Sequence, residues 1–186
     1  MNSPIKQQII NISFLFFVGL FSIFAIFLPD IDLSIPFLHH RSMVTHSILI
    51  PLLLMKWKRI KISNVVILCL LLGFAIHMAA DLSPKSWRGF ALIYVPFVKI
   101  SFFGSIGSYC WLLGNVILCF YFFSKIMREE HEEIPIYLSY ILIGGMAILY
   151  SWGNDGIGSG ENLMVIVYSL MSFYLVNSKI FRKYIR

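Results

Sequence analysis

Three short stretches of this chain hold nearly all of its chemically capable side chains. Asp30 and Asp32 lie in LPDID. His39, His40 and Arg41 follow, then Thr45-His46-Ser47. His77 and Asp81 sit in GFAIHMAADLSP. His77 and Asp81 are four residues apart, so on a helix they project from one face, one turn apart. An imidazole and a carboxylate so placed can grip one cation from a rigid scaffold. Asp30 and Asp32 share a turn opened by Pro29, where both carboxylates can converge on one ion. Without a cation, two carboxylates at low dielectric would repel strongly. Carboxylates and imidazoles without cysteine suit zinc, with manganese or magnesium as the other candidate ions, and there are ligands enough for two metals. Each piece alone has a plainer reading: a helix-surface hydrogen bond for the HxxxD spacing, a capped turn for the two aspartates. His131, within REEHEE, reads as part of a solvated loop. Co-location is what turns the pieces into a site.

The elements that must position these residues are membrane helices. Of 186 residues, 59% are hydrophobic and 13% charged, against roughly 45–50% and about 25% in ordinary globular domains. That composition excludes a soluble globular enzyme and a disordered chain. We expect an all-α, polytopic membrane bundle forming a single integral membrane domain over residues 1–186, with site segments 28–47 and 77–97. Apolar runs near the 20 or so residues that a bilayer requires predict about six transmembrane helices: Gln8–Leu28, Met43–Trp57, Asn64–Leu82, Ser108–Met127, Ile134–Trp152 and Asn162–Phe181. The first run ends in FLPDID with no small-residue cleavage site, so it is expected to be a retained span. Phe90–Phe103, interrupted by Pro96, Lys99 and Gly104, is expected to be an interfacial or re-entrant segment after the third helix.

Six spans place both termini on one side. If that side is the cytoplasm, eleven Lys and Arg lie inside and four outside, as the positive-inside rule requires. The net charge of +6 is therefore topological, which argues against a nucleic-acid partner. The expected location is a bacterial cytoplasmic (inner) membrane, with membrane lipids as neighbours. Every candidate ligand then falls at the outer face. Cys69, Cys110 and Cys119 sit inside apolar runs without CxxC spacing and read as small hydrophobes. Gly144-Gly145 is expected to allow close helix packing. Trp57, Trp87, Trp111 and Trp152 are expected to be interfacial anchors.

LPDID, HHRSMVTHS and GFAIHMAADLSPKSWRGFALIYVPF together resemble the YdjM-type membrane-bound metal-dependent hydrolases, over about Leu28 to Phe97. That family runs from Pro-Asp-x-Asp, through His-Arg and Thr-His-Ser, to His-x-x-x-Asp. The resemblance implies Asp30, Asp32, His40, His46, His77 and Asp81 as metal-site candidates, supported by Arg41, Thr45 and Ser47. Ser42 stands where a glycine is common, and the stretch from Asp81 to Gly89 is long.

The functional expectation is a membrane-bound, metal-dependent hydrolase acting on a phosphoester or lipid-headgroup substrate. Asp30, Asp32, His46, His77 and Asp81 would hold the divalent metal, with His40 as a ligand or proton shuttle. Arg41, with Lys85 or Arg88, would neutralise an anionic substrate oxygen, a task that suits the planar guanidinium. Thr45 and Ser47 would support the ligands. The alternative is a non-enzymatic metal-binding membrane protein or a divalent-cation transporter; a transporter should carry ligands near the midplane, where these spans have almost none. The chain contains no GxSxG or Walker loop. The glycine-rich stretch 153–161 reads as a flexible turn, or as a lid that brings Asp155 or Glu161 near the metals.

Overall fold

The computed structural model describes residues 4–57, 63–82, 92–98, 100–101, 104–131, 133–153 and 160–184. Its described residues form seven α-helices and one 3-10 turn: α1 Pro4–Ile26, the turn Pro29–Ser34, α2 Leu49–Lys56, α3 Asn64–Asp81, α4 Gly104–Glu130, α5 Ile136–Gly153, α6 Gly160–Asn177 and α7 Lys179–Tyr184. The chain is an all-α bundle, and among the described residues three helices are long and apolar enough to cross a membrane, so it is membrane-embedded. The helices around α5 and α6 are apolar but shorter.

The central element is α3, buried over most of its length from Ile67 to Asp81 and packed between α1 and α4. Its apolar residues run all round the helix, as a helix at the core of a bundle requires. The close crossing with α1 depends on Gly73. A Cβ there would lie 2.5 Å from the Ala25 Cβ and 2.7 Å from its backbone carbonyl carbon. The Gly144-Gly145 pair has no such role: a Cβ at Gly144 would make only an ordinary contact with the end of the Leu170 side chain at 3.8 Å, and one at Gly145 would meet nothing within 4 Å.

Hydrogen bonds at both ends define how the helices run. Asn64 at the start of α3 bonds Glu130 at the end of α4, and Asn11 of α1 donates to the Glu133 carbonyl at 3.2 Å. At the other end, Trp111 of α4 donates to the His46 carbonyl at 2.9 Å, and the Tyr150 ring of α5 stands 6.4 Å from that of His77. The C-terminal ends of α1, α3 and α5 therefore meet the N-terminal part of α4 at one end of the bundle.

A further expectation is corrected. The second span does not form as a full crossing: α2 has eight residues, or about 12 Å at 1.5 Å per residue. Residues 43–48 are non-helical because side chains compete for their backbone. The Ser47 hydroxyl donates to the Val44 carbonyl at 2.8 Å and accepts from Leu49 N–H at 3.2 Å, while Thr45 holds Asp32. Pro51 is tolerated in the first turn of α2, where no intrahelical donor is needed. Trp111 has its indole turned to the His46 backbone. The described residues of the segment after α3, 92–98 and 100–101, are not helical. Ser42 pairs with Tyr94 and Tyr94 with Ser101 in isolated bridges, Val95 N–H donates to the Ile100 carbonyl at 3.1 Å, and Gly104, at φ 64°, turns the chain into α4.

Candidate metal centre

The turn after α1 opens with Pro29, whose fixed φ suits the first position of a helical turn, and it carries Asp30 and Asp32 to the end of α3. The loop between that turn and α2 brings His40, Arg41, Thr45 and His46 over the same point. His77 and Asp81 rise from the last turns of α3.

Six of the expected residues converge. His46 Nε2 lies 3.2 Å from His77 Nε2, 3.2 Å from Asp81 Oδ2 and 3.9 Å from Asp30 Oδ1. His77 Nε2 is 3.7 Å from Asp30 Oδ1 and 3.6 Å from Asp81 Oδ2. His40 Nδ1 stands 3.7 Å from Asp30 Oδ1 and 3.6 Å from Asp32 Oδ1. Two ligand groups emerge, Asp30–His46–His77 and Asp30–Asp32–His40. Asp30 is common to both groups.

Asp32 also stands behind His46. Its Oδ2 accepts from Ser42 N–H at 2.9 Å and from the Thr45 hydroxyl at 2.7 Å, and lies 3.4 Å from His46 Nδ1. A carboxylate behind one imidazole nitrogen orients the ring so that the other faces a metal. His46 lies ahead of α2, outside the spanning helices. Its burial alone would lower the imidazole pKa, but hydrogen bonds and charge from Asp32 and Asp81 outweigh this and raise it to about 9. The site therefore demands positive charge.

The donor set fits a divalent cation. Asp32 Oδ1 is a buried acceptor without a hydrogen bond among the described residues, and Asp81 Oδ2 faces only the two imidazoles, 3.2 Å from His46 Nε2 and 3.6 Å from His77 Nε2. Buried polar atoms are ordinarily paired, so an unpaired Asp32 Oδ1 and a second carboxylate beside two facing imidazoles leave room for a metal's charge.

Other expected residues take other positions. Arg41 Nε donates to Asp81 Oδ1 at 3.1 Å, so its guanidinium is engaged with a carboxylate of the cluster. Its φ of 62° is uncommon for a side chain of this size and is held by Tyr94 N–H donating to its carbonyl at 3.0 Å. Ser47 faces the start of α2 rather than the ligands. Lys85, Arg88 and Asp155, as well as the side chain of Glu161, lie outside the described residues. His39 packs against Tyr94, and His131 sits on Phe14, 4.1 Å between ring centroids, at the opposite end. The sequence reading missed Ser42, whose N–H caps Asp32; Asn115, whose side chain accepts from Ile48 N–H at 2.9 Å; and Trp111. Each acts through a backbone group across the fold, for which spacing carries no signal.

The fold and site together define a membrane helix bundle with a carboxylate–imidazole cluster at one end. No family model matches the chain, and neither a curated protein nor a solved structure is significantly similar to it.

Proposed function

We propose that this chain is a membrane-bound, metal-dependent hydrolase of the YdjM type, acting on a phosphoester-bearing substrate. The observation that carries the reading is the meeting of Asp30, Asp32, His40, His46, His77 and Asp81, from three chain segments, around common centres. Zinc is the best-fitting ion, with manganese or magnesium as alternatives. A divalent ion held there would supply Lewis acidity and a water made acidic near neutral pH. Asp30, His46, His77 and Asp81 would hold one ion, and Asp30, Asp32 and His40 a second. His40 and Asp30 have the most open side chains of the cluster, at 45% and 35% exposure; His40 would either bind that second ion or, in its place, pass a proton between the centre and the solvent. Arg41 would hold Asp81 in its orientation. In the net reaction one water is consumed: its oxygen bonds to phosphorus, the ester P–O bond breaks, and the leaving alcohol takes up a proton.

The test is metal removal. Purified protein should contain a stoichiometric divalent metal and hydrolyse a phosphodiester. Chelation should abolish turnover, and zinc or manganese should restore it. Turnover that survives complete chelation would contradict the reading.

The orientation we propose places the cluster at the outer face of a bacterial inner membrane, with both termini cytoplasmic. It is supported by the excess of Lys and Arg at the end opposite the cluster. A reporter active only in the periplasm should be silent when fused after Lys61 and active after Ser86. The reverse pattern would invert the topology.

A further inference from the structure

The cluster opens within a collar of apolar side chains carried by loops rather than by spanning helices. In the turn that points Asp30 and Asp32 inward, Ile31 and Leu33 point outward, Leu33 at 67% exposure. Phe37, three residues before His40, stacks on Phe97 with centroids 5.3 Å apart and ring planes 8° apart. Phe97 has a φ of 66°, a region that L side chains avoid. Its N–H donates to the Phe37 carbonyl at 3.2 Å, while Val95 N–H closes the turn on Ile100. The result is a tight finger tipped by Pro96, Phe97 and Val98, with the Phe97 side chain 75% exposed and Ile100 63%. The finger hangs directly on the site loop, since Tyr94 N–H donates to the Arg41 carbonyl and its own carbonyl accepts from Met43 N–H at 2.9 Å.

A lipid-facing helix surface is apolar in any membrane protein. Loop residues beyond the helix ends would face water and headgroups if the cluster stood clear of the bilayer. Contiguous large hydrophobics there mark a surface that something apolar covers. The occupant is the bilayer itself, because the collar continues the lipid-facing surface of α1 through Phe24, Phe27 and Leu28, all exposed, up to Asp30. Backbone strain at Phe97 indicates that the surrounding structure holds this ring outward.

Building on the hydrolase reading, we propose that the substrate is a bilayer lipid with a phosphoester headgroup, which reaches the cluster sideways from the leaflet. Its chains lie against Leu33, Phe37, Phe97 and Ile100, and only the ester is presented between Asp30 and His40. A water-soluble phosphoester lacks the part that the collar holds.

Two measurements test this. First, the metal-loaded full-length protein in vesicles containing phosphatidylglycerol and phosphatidate is compared on those lipids and on two chainless esters, bis(4-nitrophenyl) phosphate and 4-nitrophenyl phosphate. Wild type should prefer the lipids. The ratio of lipid to chainless turnover should fall at least tenfold in Leu33→Asn and in Phe37→Asn/Phe97→Asn, and recover in Phe37→Leu/Phe97→Leu. Equal loss on both substrate types, an unchanged ratio, or a wild-type preference for the chainless esters would overturn the lipid inference while leaving a hydrolase. No turnover of any of these by a metal-loaded protein would remove the hydrolase reading and the lipid substrate with it. Second, Phe97→Trp should add emission that lipids brominated on their acyl chains quench. Added emission that these lipids leave unquenched, as when a second copy of the chain covers the collar, would overturn the inference independently of activity.

Discussion

His46→Ala is expected to empty the metal centre and to abolish hydrolysis, a larger effect than the roughly 10–100-fold cost of losing a group behind a ligand. His46 is fully buried and lies between Asp32, Asp81 and His77. Alanine removes one nitrogen from the centre and the partner that Asp32 faces, leaving carboxylates clustered without compensation. Breaking a buried ion pair by removing one partner costs about 3–5 kcal/mol, so the apoprotein should also lose thermal stability. Elemental analysis of the purified variant, with thermal unfolding in detergent, reads both effects. A variant with wild-type metal content would remove His46 from the ligand set. Arg41→Lys is the graded contrast. Lysine keeps the charge but loses the guanidinium whose Nε reaches Asp81 Oδ1, so metal affinity should weaken by about 10–100-fold without vanishing. Unchanged metal affinity with reduced turnover would instead place Arg41 on the substrate.

Gly73→Leu should be comparably damaging, although Gly73 touches no ligand. Its position meets the Ala25 Cβ at 2.5 Å and the Ile26 backbone nitrogen at 2.8 Å, and backbone cannot rotate aside as a side chain can. Overpacking typically costs 1–3 kcal/mol; with main chain as the obstacle, about 3 kcal/mol or more is expected. The displaced helix is α1, and Asp30 follows its end by four residues, so metal occupancy should fall together with thermal stability. Gly145→Ala supplies the comparison: nothing lies within 4 Å of its Cβ position, and removing a helical glycine should be neutral or stabilising by about 0.5–1 kcal/mol. Gly73→Leu with wild-type stability and metal content would show that α1 and α3 do not cross as closely as described.

Much of the site was legible in the residues because its chemistry is periodic and local. His77 and Asp81 share a helical face wherever α3 lies, and the hydropathy pattern put the three segments at one end of the bundle. The double use of Asp32, behind His46 through Oδ2 and free at Oδ1, was not legible. It depends on the path of residues 42–46, which Ser42, Thr45 and Tyr94 set together through contacts distant in sequence. The expectation of Gly144-Gly145 as a packing site failed for a related reason. A glycine pair shows where helices can approach, but the partner's path decides whether they do.

By itself, the sequence determined that this chain lies in a membrane, where most of its helices run and which side chains could bind a cation. Those properties follow from composition, from apolar run length against bilayer thickness and from the 3.6-residue turn. Tertiary structure alone decided that α2 is too short to cross, that Arg41 serves Asp81, and that the loops around the cluster present an apolar collar. Each of these results from competition between groups far apart in the chain. Side-chain hydroxyls took residues 43–48 out of the helix, a buried carboxylate captured the nearest guanidinium, and a strained backbone at Phe97 is held by its bond to Phe37.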